Sequence, residues 1–202
     1  MYSTYPSFVL GFHGCDKSLA EKVFSGEMRL KPSENKYDWL GNGVYFWEQN
    51  PLRAFEYAQH LKDNPSKSKA KIKEPAVIGA VINLGHCLNL LNSESLLILQ
   101  QGYDILLKTH EKSGYPIPQN KPIGEEQDLL LRPLDCAVIE TIHEFRKETS
   151  HAPYDTVRGV FWEGQDLYPN AGFKEKNHIQ ICVRDLNCIK GYFRPLTMIN
   201  PI

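Results

Sequence analysis

The sequence lacks the features that mark several classes of protein. Its five cysteines are an odd number and include no Cys-x-x-Cys pair, which argues against a disulfide framework and a zinc site and favours a reducing compartment. No segment approaches the ~20 consecutive apolar residues of a membrane span. The opening "MYSTYPSF" has no basic region followed by a long apolar run, so it predicts no signal peptide. We therefore expect a cytoplasmic protein with no membrane partner and no metal.

Net charge is also nearly absent. The formal net charge is -1, so no global field attracts nucleic acid or acidic membranes, and any such attraction must be local. Hydrophobic residues make up 42% of the chain and charged residues 23%, which is ordinary for a globular protein. The 202 residues suit one domain, and we predict a single domain over 1–202.

Strand and helix patterns alternate along the chain and predict a mixed α+β fold. Asp16 can cap a helix that Gly26 ends, and Asn50 followed by Pro51 marks the start of another. Residues 93–110 and 134–148 also read as helices, and they make 85–150 a predicted helical insertion of no recognisable role. Strands are predicted at 7–12, at 44–47 and in "AVIGAVINLG", "TVRGVFW", "HIQICVR" and "CIKGYF".

A polar segment, residues 62–73, carries five lysines. The composition predicts an exposed connection between a helix and the strand that follows it. The alternative is a local basic surface that guides RNA or DNA.

Two short stretches combine small residues with a residue that can do chemistry. They are "FHG" at 12–14 and "GNGVYF" at 41–46, separated by a predicted helix and a loop. Taken singly, a histidine at the end of a strand is more often structural, and glycines more often mark turns. Taken together, with a capped helix after the second stretch, they form a pattern.

This pattern resembles the NAD-binding half of the ADP-ribosyltransferases, in the branch of diphtheria toxin and the poly(ADP-ribose) polymerases with its His-Tyr-Glu triad. The resemblance implies two packed, mainly antiparallel sheets that form an NAD cleft, with helical insertions. The family's third motif, a glutamate on a late strand, falls here on Gln180 in "QICVRDLNCI". The stretch "YDTVRGV" is similar to the segment that opens the family's acceptor side.

The resemblance implies roles for the residues of the first two motifs. His13 would hydrogen-bond a ribose hydroxyl, and Gly14, which has no Cβ, would let the backbone reach the nicotinamide carboxamide. Tyr45 would stack on the pyridinium face. Gly43 and Phe46, from the same motif as Tyr45, are expected at the NAD site.

Further candidates lie outside these two motifs. Gln180 can orient a ribose hydroxyl but offers no negative charge to an oxocarbenium ion, which favours single transfer over polymer synthesis. His178, on the same strand face, and Glu163, in the acceptor loop, are expected to compensate, although both could equally be surface residues. Arg53 would contact the diphosphate, or would be an exposed helix residue. Glu140 reads as helix surface.

These expectations lead to one function and two alternatives. The first is a mono-ADP-ribosyltransferase that uses NAD as co-substrate and modifies a protein, RNA or DNA. Small members of this kind resemble toxins of toxin-antitoxin or phage-defence systems, which implies an antitoxin protein as partner. The second is an inactive module that binds NAD or ADP-ribosylated partners. The third, a relative of the RNA 2'-phosphotransferases, needs several arginines that the sequence does not identify.

Overall fold

The computed structural model describes residues 8–65, 71–122 and 128–196, and within them the chain forms an α+β fold. Seven strands are joined in one mixed sheet, and four α-helices cover it. The strands are β1 Val9–Asp16, β2 Val44–Glu48, β3 Pro75–Ile82, β4 Cys87–Asn89, β5 Thr156–Phe161, β6 His178–Val183 and β7 Ile189–Phe193. The helices are α1 Lys17–Phe24, α2 Pro51–Asp63, α3 Ser93–Ser113 and α4 Pro133–Glu148.

The sheet has the order β4-β5-β6-β2-β1-β3-β7, and every pair is antiparallel except β4 with β5. The prediction of two packed sheets is therefore corrected to one sheet. Its two halves meet between β1 and β2, where the register holds only two residue pairs, Gly11 with Glu48 and Phe12 with Trp47. By contrast, β1 and β3 pair over eight positions. The sheet is continuous because of this short central joint.

The helices divide between the two faces of the sheet. On one face, α1 packs Ala20 and Val23 into a core with Phe46 and Ile78. On the other face, α2 lies over β1 and β3, where Ala54 joins Phe12 in a second cluster. Helices α3 and α4 bury a third cluster against β5 and β6, which includes Ile139 and Val157. The alternation of side chains along each strand supplies both faces with apolar residues.

Both helix starts predicted from capping residues are confirmed. The Asp16 carboxylate accepts a hydrogen bond from Ser18 N at 3.0 Å, and the Asn50 side chain accepts from Arg53 N at 3.0 Å. Pro51 occupies the first helical turn, where a missing N–H leaves no intrahelical bond unmade. No helix in the described ranges is long and apolar enough to cross a lipid bilayer.

Two sequence predictions need correction in their extent. The first strand does not end near His13 but continues through His13 and Gly14 to Asp16, because β3 pairs with it along its whole length. Ser7, the predicted start, lies outside the described residues. Residues 85–150 are also more than a helical insertion, since β4 adds a parallel edge strand to the sheet. The predicted lysine-rich connection falls partly outside the described ranges, at 66–70.

Gly14 marks the closest approach of α2 to the sheet. A Cβ built on Gly14 would lie 1.9 Å from the Ala54 carbonyl oxygen and 3.3 Å from the Ala58 Cβ. Helix backbone cannot yield as a flexible side chain can, so any side chain here would push α2 away from β1. The glycine of "FHG" therefore has a packing reason as well as the functional reason expected from the sequence.

Gly14→Ala should destabilise the protein strongly, while Gly191→Ala should not. Overpacking a dense core costs typically 1–3 kcal/mol and sometimes more, and the clash with Ala54 places Gly14→Ala at about 3 kcal/mol. Gly191, on β7, has no heavy atom within 4 Å of its built Cβ. Urea unfolding of both variants measures the difference. Equal free energies of unfolding for the two variants would contradict this account of how α2 packs.

Candidate functional site

The candidate site is centred on the opening between β1 and β2, just beyond the two residue pairs that join these strands. In a strand, the N–H and C=O of alternate residues point to the same side. The Leu10 carbonyl accepts from Gln49 N at 2.9 Å, so Leu10 faces β2, and Gly14, four residues on, faces the same way. The β1–β2 ladder has already ended at Phe12. The Gly14 N–H and C=O therefore point into the opening between the two strands.

His13 bridges this opening with its side chain. In a regular ladder the rung after Phe12 and Trp47 would pair Gly14 with Tyr45, but here His13 Nδ1 lies 2.8 Å from the Tyr45 carbonyl oxygen. A carbonyl only accepts, so Nδ1 carries the proton and the neutral ring has its lone pair at Nε2. Burial lowers the pKa of His13 and outweighs the opposing effect of the Tyr45 hydrogen bond. His13 Nε2 is thus an acceptor at neutral pH.

Tyr45 is held by the loop that precedes it. Its hydroxyl donates to the Gly41 carbonyl oxygen at 2.7 Å and accepts from Leu40 N at 2.9 Å. Gly41 has φ +78°, a left-handed conformation that favours glycine, and this turn directs its carbonyl to the tyrosine. Gly43 exchanges two backbone hydrogen bonds with Ser33. The two glycines of "GNGVYF" thus shape a loop that fixes the phenol end of Tyr45 and leaves its ring half-buried.

Glu140 anchors the same loop and is not the surface residue that its sequence context indicates. Its carboxylate accepts from Asn42 N at 2.8 Å and from both terminal nitrogens of Arg184, at 2.6 and 3.0 Å. Burial alone would raise the pKa of Glu140, but the hydrogen bonds from Arg184 and Asn42 outweigh it and keep the pKa below its usual value. Helix α4, part of the segment without a recognisable role, therefore positions the second motif.

The register of the strands shows which candidate side chains share a face. Gln180 lies opposite Trp47, which makes it a diagonal neighbour of Tyr45 at about 7–8 Å between Cα atoms. His178, two residues away on β6, is on the same face, opposite Phe161 of β5. Tyr45, Gln180 and His178 are therefore brought together.

His13 and Phe46 lie on the other face, where their rings are in contact at 5.9 Å between centroids. Phe46 is fully buried in the core with α1, so it supports His13 and cannot touch a ligand. His13 shares the site with Tyr45 only through the opening in the sheet. The register therefore places His13 on the sheet face opposite Tyr45 and Gln180, so the three side chains do not share one face as expected from the sequence.

Gln180 and His178 form an oriented pair. His178 Nδ1 donates to the Lys176 carbonyl oxygen at 2.6 Å, which leaves Nε2 as an acceptor for the Gln180 side-chain N–H at 2.9 Å. Burial, to which Arg53 and Arg132 add, lowers the pKa of His178 to about 4 against the opposing hydrogen bond to Lys176, so the ring is neutral at pH 7. With its N–H bound to His178, the Gln180 amide has its oxygen available as an acceptor.

Glu163 is buried beyond His178, and side chains of both charges act on its carboxyl group. The pKa of Glu163 is raised to about 7, mainly by burial and in smaller part by Asp128. Arg132, Arg53 and Lys176 act in the opposite direction. A carboxyl with this pKa exists in both protonation states at neutral pH, as general acids and bases require.

Two residues that the sequence did not single out, Trp47 and Arg132, lie around these candidates. Trp47 packs on Tyr57 of α2 and on His178, with ring centroids 5.0 and 6.3 Å apart. Arg132 stacks over Trp39, 4.1 Å from the ring centroid. Strand periodicity could have identified Trp47, because it lies two residues after Tyr45 on the same strand. No feature of the sequence indicates Arg132, which comes from a distant segment.

Arg53 lies in the first turn of α2, and its guanidinium pairs with Glu56 in the same helix. It lies near Glu163 and His178 and lowers the pKa of both groups.

All five cysteines are free thiols. Within the described ranges, no group of three histidine, cysteine or carboxylate side chains could hold a metal ion.

Comparison with known proteins adds a distant relative. The chain is 24% identical, over 198 residues, to an uncharacterized protein of Methanocaldococcus jannaschii, and the match covers 89% of this chain and 83% of that protein. No family model matches the chain, and no solved structure matches it. The similarity extends over most of both chains and carries no assignment of family or activity.

Glu163→Gln should stabilise the protein at pH 8 but not at pH 5. The folded state holds the Glu163 proton up to about pH 7, whereas an ordinary glutamate of pKa 4.5 loses it earlier, so the stability of the wild type falls as pH rises through this window. Glutamine removes that loss, which we expect to be about 1–3 kcal/mol. Urea unfolding at both pH values measures it, with the exposed Glu175→Gln as control. A gain of equal size at pH 5 would contradict the buried, protonated carboxyl.

Proposed function

We propose that this protein is a mono-ADP-ribosyltransferase that transfers ADP-ribose from NAD to a macromolecular acceptor. The observation that carries the proposal is the opening of the sheet between β1 and β2. There the ladder ends after two residue pairs, the Gly14 backbone faces the gap, and His13 Nδ1 donates to the Tyr45 carbonyl oxygen across it. We infer also that the two halves of the sheet, joined by two residue pairs, correspond to the two sheets of the ADP-ribosyltransferase fold.

The opening suits the nicotinamide end of NAD. A carboxamide has an N–H donor and a C=O acceptor, and the Gly14 backbone presents one group of each kind towards the opening. The half-buried Tyr45 ring offers a π face to the cationic pyridinium, and such contacts strengthen as water is excluded. Tyr57 of α2, 44% exposed, lies on the same side of the sheet beside Trp47. Binding here requires no charged side chain of the protein.

The ribose next to the nicotinamide would lie at the gap, with Gln180 on one face of the sheet and His13 reaching the gap from the other face. His13 Nε2 and the Gln180 amide oxygen both accept hydrogen bonds, and ribose hydroxyls donate them. Cleavage of the bond between C1' and the nicotinamide nitrogen leaves positive charge on the ribose, and oriented acceptors stabilise that charge as it develops. Gln180 supplies a dipole where chain-elongating relatives have a glutamate, which supports single transfer.

Gln180 also supports a second candidate function, a module of the same fold that binds NAD or ADP-ribosylated partners without turnover. An amide that is already bound to His178 stabilises an oxocarbenium ion less than a carboxylate does. The two functions differ in whether NAD is consumed. If it is consumed, the enzyme would modify the cell that makes it, so a neutralising antitoxin belongs to the same proposal.

The direct test is incubation of the purified protein with labelled NAD and a whole-cell extract. The proposal predicts label in macromolecules and release of nicotinamide. Treatment with protease or nuclease then shows which class of acceptor holds the label. NAD that binds and is recovered intact, with no label transferred, would leave the binding module as the function.

Tyr45→Ala should weaken NAD binding more than Tyr45→Phe. Loss of the ring removes a stacking contact of about 1 kcal/mol, or roughly fivefold in Kd, while phenylalanine keeps the ring and loses only the hydroxyl contacts to Gly41 and Leu40. Calorimetric titration with NAD measures both affinities. Tyr115→Ala, at a side chain that is 74% exposed, is the control. If the two Tyr45 variants bind equally weakly, the phenol oxygen and not the ring carries the effect.

Gln180→Ala should lower kcat with little change in KM, because Gly14 and Tyr45 would still hold the nicotinamide. This split is the pattern of an interaction made mainly in the transition state. Gln180→Glu should raise hydrolysis of NAD to free ADP-ribose, since a carboxylate adds negative charge near the ribose. Steady-state nicotinamide release measures both variants. A Gln180→Ala enzyme with wild-type kcat would remove Gln180 from the third motif.

A further inference from the structure

Three residues around His178 each have a buried polar atom without a hydrogen-bond partner among the described residues. These atoms are Trp47 Nε1, Arg53 Nε and Glu163 Oε1. Trp47 and Glu163 are each only 6% exposed. A buried polar group without a partner costs free energy, so three in one neighbourhood indicate a place where a ligand completes the hydrogen bonding.

These residues lie around His178, which shares a sheet face with Tyr45 and Gln180. Trp47 contacts the His178 ring, and Arg53 lies close enough to lower the pKa of both His178 and Glu163. Phe161 stacks on His178, with 5.5 Å between ring centroids. The backbone ladder also continues past Phe161, since Lys176 N donates to the Glu163 carbonyl oxygen. Glu163 therefore follows Phe161 on the sheet face that carries Gln180.

The hydrogen-bonding capacity of the three atoms selects among acceptor groups. A hydroxyl has one donor and two acceptor lone pairs, which complements one carboxyl oxygen and two N–H groups. An ammonium has only donors, leaves Trp47 and Arg53 unpaired, and is repelled by the nearby cations Arg53, Arg132 and Lys176. A carboxylate has only acceptors and leaves Glu163 Oε1 unpaired. A hydroxyl fits best of the three.

We propose that Trp47, Arg53 and Glu163 bind the nucleophile of the transfer reaction, that this nucleophile is a hydroxyl group, and that Glu163 is its general base. This inference rests on the proposed function, because it names the acceptor chemistry of the same site. Trp47 and Arg53 donate to the hydroxyl oxygen, and the hydroxyl donates to Glu163. The three residues thereby direct the oxygen towards the ribose that Gln180 orients.

The reaction step balances without any further reactant. The bond between ribose C1' and the nicotinamide nitrogen breaks, and nicotinamide leaves with the electron pair as a neutral molecule. The hydroxyl oxygen forms a new bond to C1', and its proton passes to the Glu163 carboxylate. The pKa of Glu163, about 7, makes it a base in the neutral range. The charged groups that face it are Arg132, Arg53 and Lys176, which favour the carboxylate, and Asp128, which disfavours it.

The test measures how much ADP-ribose is transferred from NAD to water and how much to each added small nucleophile. The protein is incubated with NAD and, in separate reactions, with methanol, ethylamine or acetate, and the ADP-ribosyl adducts are quantified by mass spectrometry. We expect a methyl adduct to form with methanol and far less adduct to form with ethylamine or acetate. Formation of the methyl adduct should rise with pH through about 7 and then level off, as Glu163 ionises.

Glu163→Gln should lower formation of the methyl adduct by about 100-fold, the size expected for loss of a general base, and should abolish its pH dependence. Trp47→Phe keeps the aromatic packing, removes one donor, and should lower the methyl adduct relative to released nicotinamide. Glu175→Gln, in the same loop and exposed, is the matched control and should behave as wild type. NAD binding by each variant confirms that the fold is retained.

The outcomes separate this inference from the proposed function. If the wild type consumes NAD but Glu163→Gln keeps its methyl adduct and pH profile, the hydroxyl site is wrong and the transferase proposal stands. Ethylamine or acetate adducts as abundant as the methyl adduct would also overturn the site. If the wild type consumes no NAD under any condition, both proposals fail together.

Discussion

The hydrogen bond from His13 to the Tyr45 carbonyl connects β1 and β2 where their backbone ladder has ended. A regular antiparallel ladder would have closed the opening between them with a rung between Gly14 and Tyr45. The imidazole satisfies the carbonyl that the missing rung leaves unpaired, and α2, seated on Gly14, holds the other side. Without the imidazole, the Tyr45 carbonyl would have to find water or pull the strands together. The candidate site therefore depends on a histidine that has a structural role.

The site also depends on a segment that the motifs do not include. Glu140 of α4 binds both the loop at Asn42 and Arg184 just after β6, so one carboxylate connects three distant parts of the chain. Helix α4 packs on the same sheet face as Tyr45 and Cys182. Helix α4 thus packs against the sheet face of Tyr45 and anchors the loop that precedes Tyr45.

Local signals predicted the parts of this molecule that local interactions determine. The capping residues Asp16 and Asn50 gave correct helix starts, and apolar runs located the long strands. The β4 strand escaped prediction because three residues carry too little periodicity, and the roles of Glu140 and Arg132 arise from contacts with residues far away in the sequence. Whether the strands form one sheet or two depends on the two residue pairs that join β1 to β2. Neither the composition of the chain nor the periodicity of its apolar residues predicts that pairing.

The position of β6 has a consequence for how the chain acquires its structure. Strand β6 is the sixth of seven in sequence but lies between β5 and β2 near the middle of the sheet. During synthesis the segment carrying β1, β2 and β3 leaves the ribosome long before His178–Val183 appears, so half of the sheet waits with the edge of β2 uncovered. Pairings of such long sequence separation form slowly, and exposed edges aggregate in the meantime. The pairing of Gln180 beside Tyr45 therefore forms only after β6 has been synthesised, and no product that ends before β6 contains it.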